Sequence, residues 1–410
     1  MKKIIILVLV MLLSSISLFA RLKVQPVMEC VVDNGDGTYT AHFGYLNENS
    51  NVLSISIGVH NKFVGAPYEN MGQPTIFQSG RVEDYFSAVF EYGDNFVWTL
   101  GGPNGHGSVN ANSGSTACPR GDDSDGDGVT DEYDEYPNDM HRAYNNWYPA
   151  EGEESWGTLA FEDYWPFKGD YDFNDLVMDY RFNLVINGSN LVIDVNGYFR
   201  LRAIGASYSN GFGIEFPFIA DSVTVLSVEP VTLTPVQETS GTNLVLLYFN
   251  SARNLMNSVG DEQFVNTDLS ESWVENFEFS MQMTLEPTQN INYLQWLAPF
   301  NPFIFINGET ERGKEVHLPG YPPTESADRS YFGIGDDDSN LSAERYYKTV
   351  NNLPWALNLP TTWIYPKERI SITEAYLFLA DWAESSGAEH TDWYENTSGN
   401  TEASNLYIRP

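Results

Sequence analysis

The chain has 410 residues, with 21 Lys and Arg against 56 Asp and Glu, for a formal charge of −35 at neutral pH. A surface this acidic repels phosphate backbones and anionic lipid, which excludes nucleic-acid binding through a basic face and electrostatic docking to membranes. Aromatic residues make up 14% of the sequence, too many for a disordered acidic tail, and the 33 glycines and 21 prolines suit a turn-rich globular β protein.

The first twenty residues read as a secretory signal peptide. Lys2 and Lys3 precede an apolar run from Ile4 to Leu13, and smaller and polar residues follow to Ala20, a plausible cleavage position. The run is shorter than the roughly 20 apolar residues of a membrane span. No later segment is apolar enough to cross a membrane, so no transmembrane span is expected after signal removal. No Cys directly follows the run, so a lipid anchor is not expected. The mature chain would start near Arg21 and keep 19 basic against 56 acidic residues, a charge of −37. Its expected location is exported: periplasmic, outer-membrane-associated or extracellular. Cys30 and Cys118 would meet an oxidising compartment, where one bridge between them and two separate thiols are both open readings.

Residues 22–117 have the pattern of an all-β module. Tyr39, Ala41, Phe43 and Tyr45 alternate with polar or small residues, as do Leu53, Ile55 and Ile57, and again Phe96, Trp98 and Leu100. Period-two alternation buries one face and wets the other, and several such strands in about 95 residues suggest a small sandwich. Asn34-Gly35-Asp36-Gly37 supplies turn chemistry before the Thr38 strand.

Residues 119–142 break this pattern. Nine of these 24 residues are acidic and no apolar period runs through them, so the stretch reads as a linker between two domains. It holds the most chemically specific motif of the chain. Asp123, Asp125, Asp127, Asp131 and Asp134 occupy loop positions 1, 3, 5, 9 and 12, Gly128 sits at position 6, and the Val129 carbonyl is available at position 7. Calcium takes six to eight oxygens at flexible distances, and this spacing wraps a short chain around one ion. No helix pair flanks the loop and position 12 is Asp, so it is not an ordinary sensor hand. Gly121, Asp122 and Asp139 could contribute to a second, incomplete site.

Residues 143–410 are again mainly β. Leu176, Met178, Tyr180, Phe182, Leu184 and Ile186 share one face. Asn187 to Asn190 turn the chain, and Leu191, Ile193, Val195, Gly197, Phe199 and Leu201 run back, which is a long hairpin. Phe277, Phe279, Met281, Met283 and Leu285 alternate with polar residues. One late helix is expected: Ser371 and Glu374 have capping-box spacing, Ala375, Tyr376, Leu379, Trp382 and Ala383 recur at helical intervals, and Gly387 stops it. The fold class is therefore mainly β: a sandwich-like N-terminal module, a short calcium-binding linker, and a larger antiparallel β domain with one helix near its end.

A second oxygen-rich constellation starts this domain. Glu162 and Asp163 precede Asp170, Asp172, Asn174 and Asp175, with Asp179 in the strand beyond. Asp170, Asp172 and Asn174 would project to one side if extended. Oxygen ligands without His or Cys favour calcium over zinc or copper; the plainer reading is an acidic turn bonded to its own backbone.

Two resemblances bear on these segments. The loop from Asp123 to Asp134, continued by Glu135, Pro137 and Asp139, resembles a thrombospondin type 3 or dockerin-type loop, which implies a structural calcium. FEDYWPFKGDYDFNDLVMDYRF (Phe161 to Phe182), HLPGYPPT (His317 to Thr324), YYKTVNNLPWALNLPTTWIYP (from Tyr346) and Ala375 to Trp382 resemble the LruC-domain family of bacterial envelope proteins. That likeness spans most of residues 143–395 and implies an exported cell-envelope protein with no established chemistry. Some members look like lipoproteins, whereas this chain lacks the lipidation Cys.

Nothing in the sequence favours an enzyme. Its six histidines form no H-E-x-x-H, no G-x-S-x-G occurs, and the glycine-rich Gly102–Gly107 stretch lacks the lysine of a phosphate-binding loop. Among 56 acids a glycosidase pair can always be found, so acid pairs carry no signal for a hydrolase. The expected function is a calcium-stabilised structural or interaction protein without catalysis, its partner an unidentified envelope or extracellular molecule. The alternative is a glycan-binding, adhesive module with polysaccharide as partner, built on Trp147, Tyr148, Trp156, Tyr164, Trp165, Trp393 and Tyr394; the plainer reading of these aromatics is packing within a β domain.

Overall fold

A computed structural model describes residues 24–49, 52–66, 69–102, 105–118, 122–150, 155–256, 264–291, 294–308 and 310–409. The expected signal peptide, with its Ala20–Arg21 boundary, and Gly121 lie outside these residues. The protein is mainly β and antiparallel.

The N-terminal strands are β1 (Val24–Asp33), β2 (Thr38–Asn47), β3 (Leu53–Ser54), β4 (Asn61–Val64), β5 (Ile76–Phe77), β6 (Gly80–Glu91), β7 (Phe96–Gly102) and β8 (Gly105–Ala111). They form a β1-β2-β6 sheet, a β4-β7-β8 sheet and the short β3-β5 pair. The alternating residues of β2 and β7 meet in one core: Ala41, Phe43, Tyr45, Phe96, Trp98 and Leu100 are all buried there. Cys30 and Cys118 are joined in a disulfide that ties β1 to the end of the module.

The second set of strands is β9 (Tyr144–Tyr148), β10 (Gly157–Phe161), β11 (Leu176–Ile186), β12 (Leu191–Ala203), β13 (Gly211–Ile219), β14 (Val223–Glu229), β15 (Val236–Ser240), β16 (Asn243–Phe249), β17 (Phe277–Asn290), β18 (Asn301–Phe305), β19 (Glu315–His317) and β20 (Ala356–Leu359). One seven-stranded sheet runs β14-β17-β12-β11-β10-β20, with β9 alongside β11, and a five-stranded sheet runs β15-β16-β13-β18-β19. The main core lies between them. Met178, Tyr180, Phe182 and Leu184 of β11 and Phe279 to Leu285 of β17 share it with Phe212 to Phe218 of β13. β11 and β12 pair as the expected hairpin, with a register shift around Ile193. The bulge turns Val192 rather than Ile193 into the core, so strict alternation fails for one step there.

The other face of the seven-stranded sheet is covered at one end. Ala160, Val177, Ala203, Leu357 and Leu359 pack under the C-terminal segment, which carries α1 (Ile372–Ala375) and α2 (Leu379–Glu384). The expected single late helix is thus two short ones. Tyr376 between them is extended and bridges Thr401, and Leu377 N–H donates to the Asn400 carbonyl, so tertiary pairing captures the backbone where local spacing would continue the helix. Ser371 makes no side-chain cap bond; its hydroxyl meets Thr373 instead. Among the described residues no helix is long and apolar enough to cross a membrane.

Candidate metal centres

The loop of residues 122–143 is wedged between the two sets of sheets. Val129 is buried, its Cγ2 against the Gly188 turn of the β11–β12 hairpin, where a Cβ on Gly188 would come within 2.8 Å. Tyr133 and Tyr144 place their rings 6.0 and 6.3 Å from that of His42 in β2. At the same hairpin tip the Ser87 hydroxyl of β6 bonds Asn190 at 3.2 Å. The segment is therefore a packed joint.

Within it, carboxylate oxygens of Asp123, Asp125 and Asp127 all lie within 4.8 Å of one another. The backbone turns around them: Gly126 and Gly128 N–H donate to Asp123, Asp127 N–H to Asp125, and Val129 N–H to Asp127. Gly128 has φ +95°, the left-handed conformation that position 6 requires. Asp123 accepts at both of its oxygens, whereas Asp125 and Asp127 each accept at Oδ1. Asp125 Oδ2, Asp127 Oδ2 and Asp134 Oδ2 are buried with no partner among the described residues, an expensive state for charged oxygens unless a cation completes it. Burial, then the charges of Asp134, Asp125 and Asp123, pushes the Asp127 carboxyl up to about 6. Asp134 is raised by burial and by Asp125, Asp131 and Asp123. Asp131 differs from its neighbours: it accepts from both the Ser124 N–H and hydroxyl at 2.7 Å, which lowers its carboxyl. Asp122 supplies its carbonyl to Asp131 N–H, and Asp139 pairs with Arg142, so these two acids brace the loop.

The second constellation lies where the β10–β11 loop, the end of β12 and the C-terminal segment meet. Tyr171 and Phe173 adopt positive φ, 61° and 55°, and this alternation aims Asp170 and Asp172 toward Glu162. Carboxylate oxygens of Glu162, Asp170 and Asp172 lie within 4.8 Å of one another, with Glu162 and Asp172 buried and Asp170 exposed. Glu162 Oε1 accepts from Phe173 N–H, while Asp172 accepts from Asn174 N–H at 3.2 Å and Arg369 N–H at 2.7 Å. Glu162 Oε2 and Asn174 Oδ1 are buried without partners among the described residues. Among the described residues none of the three acids makes an ion pair. Glu162 is pushed well above the carboxylate range by burial and by Asp172, Asp170 and Asp163. Asp172 is pushed up to about 8 by burial, Asp170 and Glu368.

Asp163 and Asp175, read from sequence as part of the same set, form an adjoining pair. Asp163 N–H donates to Asp175 Oδ2 at 2.7 Å, and Asp163 Oδ2 accepts from Asn210 at 2.7 Å. Burial raises both carboxyls, and for Asp175 the charge of Asp163 adds to it. Asp179 points elsewhere, to Thr158 and Arg202. Sequence spacing missed Glu368, whose carboxyl is pushed up to about 7, first by burial, with Asp170 adding to it. It reaches the site because the C-terminal segment folds back over the loop, a tertiary event that no local motif records.

The aromatics singled out for a sugar platform divide. Trp165 and Trp393 are buried core residues. Trp147 and Trp156 flank the Arg181 guanidinium, 5.5 and 4.9 Å from it, and so belong to a cation–π stack on the outer face of β11. Tyr164 is exposed beside Phe167, while Tyr148 and Tyr394 line a cleft between the N-terminal module and the C-terminal segment.

Comparison with known proteins adds a family. Residues 190–394 match the family described as "Domain of unknown function (DUF4842)". The matched range includes HLPGYPPT and the Tyr346 stretch, together with Glu368 and Asn210, and leaves the other acids of both constellations outside it. A solved structure described as "Putative lipoprotein from Bacteroides ovatus" is similar at 17% identity, covering 94% of this chain and 93% of that one, with a TM-score of 0.48. No curated protein matches the chain.

Proposed function

The chain belongs to the DUF4842 family, and from its own geometry we propose that it is an exported, calcium-bound β protein of the cell envelope, with structural or interaction work and no catalysis. The observation that carries this reading is the buried Glu162 Oε2 beside Asp172 and Asp170, with neither a partner for that oxygen nor an ion pair for the three acids among the described residues. Unpaired buried carboxylates either take protons or hold a cation. Three carboxylates and the orphan Asn174 Oδ1 match the all-oxygen preference of calcium. The 123–134 loop supports a second ion, held by Asp123, Asp125, Asp127 and Asp134, with the Val129 carbonyl as the position-7 candidate. Both ions would sit at joints, one between the two sets of sheets and the other between the main sheet and the C-terminal segment. Divalent charge there would replace proton uptake and fix the contacts.

The signal-like residues 1–20 and the Cys30–Cys118 disulfide support export to an oxidising compartment. The resemblance to LruC-domain proteins, and to thrombospondin type 3 loops, supports the envelope setting and the structural role of the ions. The test is calorimetric titration of the mature protein with calcium, with magnesium and sodium at matched ionic strength as controls, followed by thermal melts with and without chelator. Calcium-specific binding and stabilisation are expected. No heat of binding, and a melt that calcium moves no more than magnesium does, would overturn the reading.

A further inference from the structure

We propose that the cleft between the N-terminal module and the C-terminal segment binds a neutral oligosaccharide. It has a volume of ≈ 480 Å³ and adjoins a second hollow of ≈ 310 Å³, the two sharing Ser54, Ile76, Pro360 and Tyr394. None of the described residues lining the larger cleft is charged, although 19% of the chain is; the smaller hollow has Glu395 alone. In so acidic a protein this is the informative feature. Among the described residues of the larger cleft a charged ligand would meet no complementary group, and an anionic one would also face the repulsion of the whole molecule.

What the cleft does offer is aromatic surface and neutral hydrogen-bonding groups. Trp382, half-buried, lies against the buried Trp393 with ring centroids 5.5 Å apart, so its indole is braced from behind. Tyr394 is half-buried at the junction of the two hollows. Such rings present apolar faces to the C–H faces of a pyranose and keep a polar edge for its hydroxyls. Asn358 is oriented by the Tyr180 hydroxyl, which donates to its Oδ1 at 2.7 Å and leaves its amide hydrogens without an acceptor among the described residues. The hydroxyls of Ser54, Ser56 and Thr391 make no side-chain hydrogen bond there either. Each hydroxyl can donate and accept, as a sugar hydroxyl does. A proline-rich peptide is the competing occupant of an aromatic groove, but its carbonyls need fixed donors, and those here are fewer than the ambivalent hydroxyls.

This inference goes beyond the calcium reading and does not depend on it, since none of the proposed metal ligands lines the cleft. Working in calcium-containing buffer therefore separates the two. The mature protein is titrated with neutral hexasaccharides of glucose, mannose, xylose and galactose, with a uronic-acid hexasaccharide, and with a proline-rich decapeptide. Indole fluorescence and calorimetry are the readouts. At least one neutral hexasaccharide should bind and the uronate should not. Tyr394→Ala and Ser54→Glu should each weaken binding about tenfold or more, the second by placing a charge in the cleft at an exposed position that folding tolerates. Trp382→Ala should also quench the fluorescence response, with its melt recorded alongside. Failure of all four neutral sugars at millimolar concentration overturns the proposal. So does sugar binding that Ser54→Glu and Tyr394→Ala leave unchanged, or binding of the peptide in place of the sugars.

Discussion

The two acidic constellations use the same side chains in opposite settings. In the 123–134 loop the carboxylates are ordered by their own backbone: each of Asp123, Asp125 and Asp127 takes an N–H from within five residues, and Asp123 remains exposed. Around Glu162 the acids also take N–H groups of their own loop, from Phe173 and Asn174, but distant chain adds to them. Asp172 takes the Arg369 N–H from 197 residues away, and Asn174 donates to the Pro366 carbonyl. The first arrangement can form as soon as the loop does. The second is complete only when the C-terminal segment has closed over the sheet. Burial follows the same division, which is why Asp127 rises to about 6 and Asp172 to about 8. A cation at the loop would order a joint; a cation at the buried site would remove a standing electrostatic cost of the folded domain.

The largest effect is expected where the buried site is crowded from outside. Gly205 leaves no room for a side chain: a Cβ there would lie 1.8 Å from Asn174 Oδ1 and 2.9 Å from its backbone oxygen. Gly205→Ala should cost roughly 3 kcal/mol, the upper end for overpacking, and lower the melting midpoint by roughly 6–12 °C. It should also abolish calcium binding at the buried site while the loop still binds. Loss of both sites together, or of neither, would show that the two constellations are not separate as their geometry requires.

The next effect is a pH dependence with a fixed sign. Without calcium, Asp172, Glu368 and Asp127 have folded values of about 8, 7 and 6, all above their ordinary 3.8 and 4.5. The folded state then holds more protons than the unfolded one between about pH 4 and 8. These groups' contribution to stability is therefore full below about pH 4, falls as pH rises, and is lost once pH has passed through the folded values of about 6 to 8. Calcium replaces those protons, so its stabilisation should grow over the same window. At millimolar calcium and extracellular-type affinity it should reach roughly 0.4–1.4 kcal/mol per site. Melts at pH 5 and pH 8 with and without calcium, at one ionic strength, check this. A calcium shift as large at pH 5 as at pH 8 would contradict it. The Glu162→Gln, Asp172→Asn double variant should flatten the apo dependence that general self-repulsion would leave in place.

The contrast also explains what could be read from sequence. The loop was legible because its candidate ligands fall within twelve residues and Gly128 marks the turn. The hairpin from Leu176 to Leu201 was legible because one face is buried along nearly its whole length. Glu368 and Asn210 were not, because only tertiary closure brings them to Asp170 and Asp163. The late helix was misread for the same kind of reason: Tyr376 has helical spacing but pairs with Thr401. Aromatic density located no platform by itself, since Trp165 and Trp393 went to the core and only the assembled cleft shows which rings face outward.

A smaller effect is expected from the loop. Asp125→Ala with Asp127→Ala removes two candidate ligands without touching the main core. Stability in calcium should fall by up to about 1.4 kcal/mol, one site's worth. Limited proteolysis should then cut between residues 119 and 142 while the larger domain stays intact. Equal resistance of the double variant and the parent, both in calcium, would refute a joint held by the ion.

The smallest effect separates spacing from geometry. Position 9 of the loop is Asp131, and sequence alone makes it a ligand. In the structure its two oxygens are occupied by the Ser124 N–H and hydroxyl, and its carboxyl is lowered by those bonds rather than raised by its acidic neighbours. It therefore acts by closing the loop. Asp131→Asn keeps an oxygen for the Ser124 N–H and removes one negative charge that solvent already screens, so calcium affinity of the loop should fall only about twofold. Asp131→Ala also removes the bond to Ser124 and should weaken binding further, with Ser124→Ala reproducing part of that loss. A drop of about tenfold or more in Asp131→Asn, with Ser124→Ala unchanged, would mean that the carboxylate reaches the ion directly and that the Ser124 contact is exchanged when calcium binds.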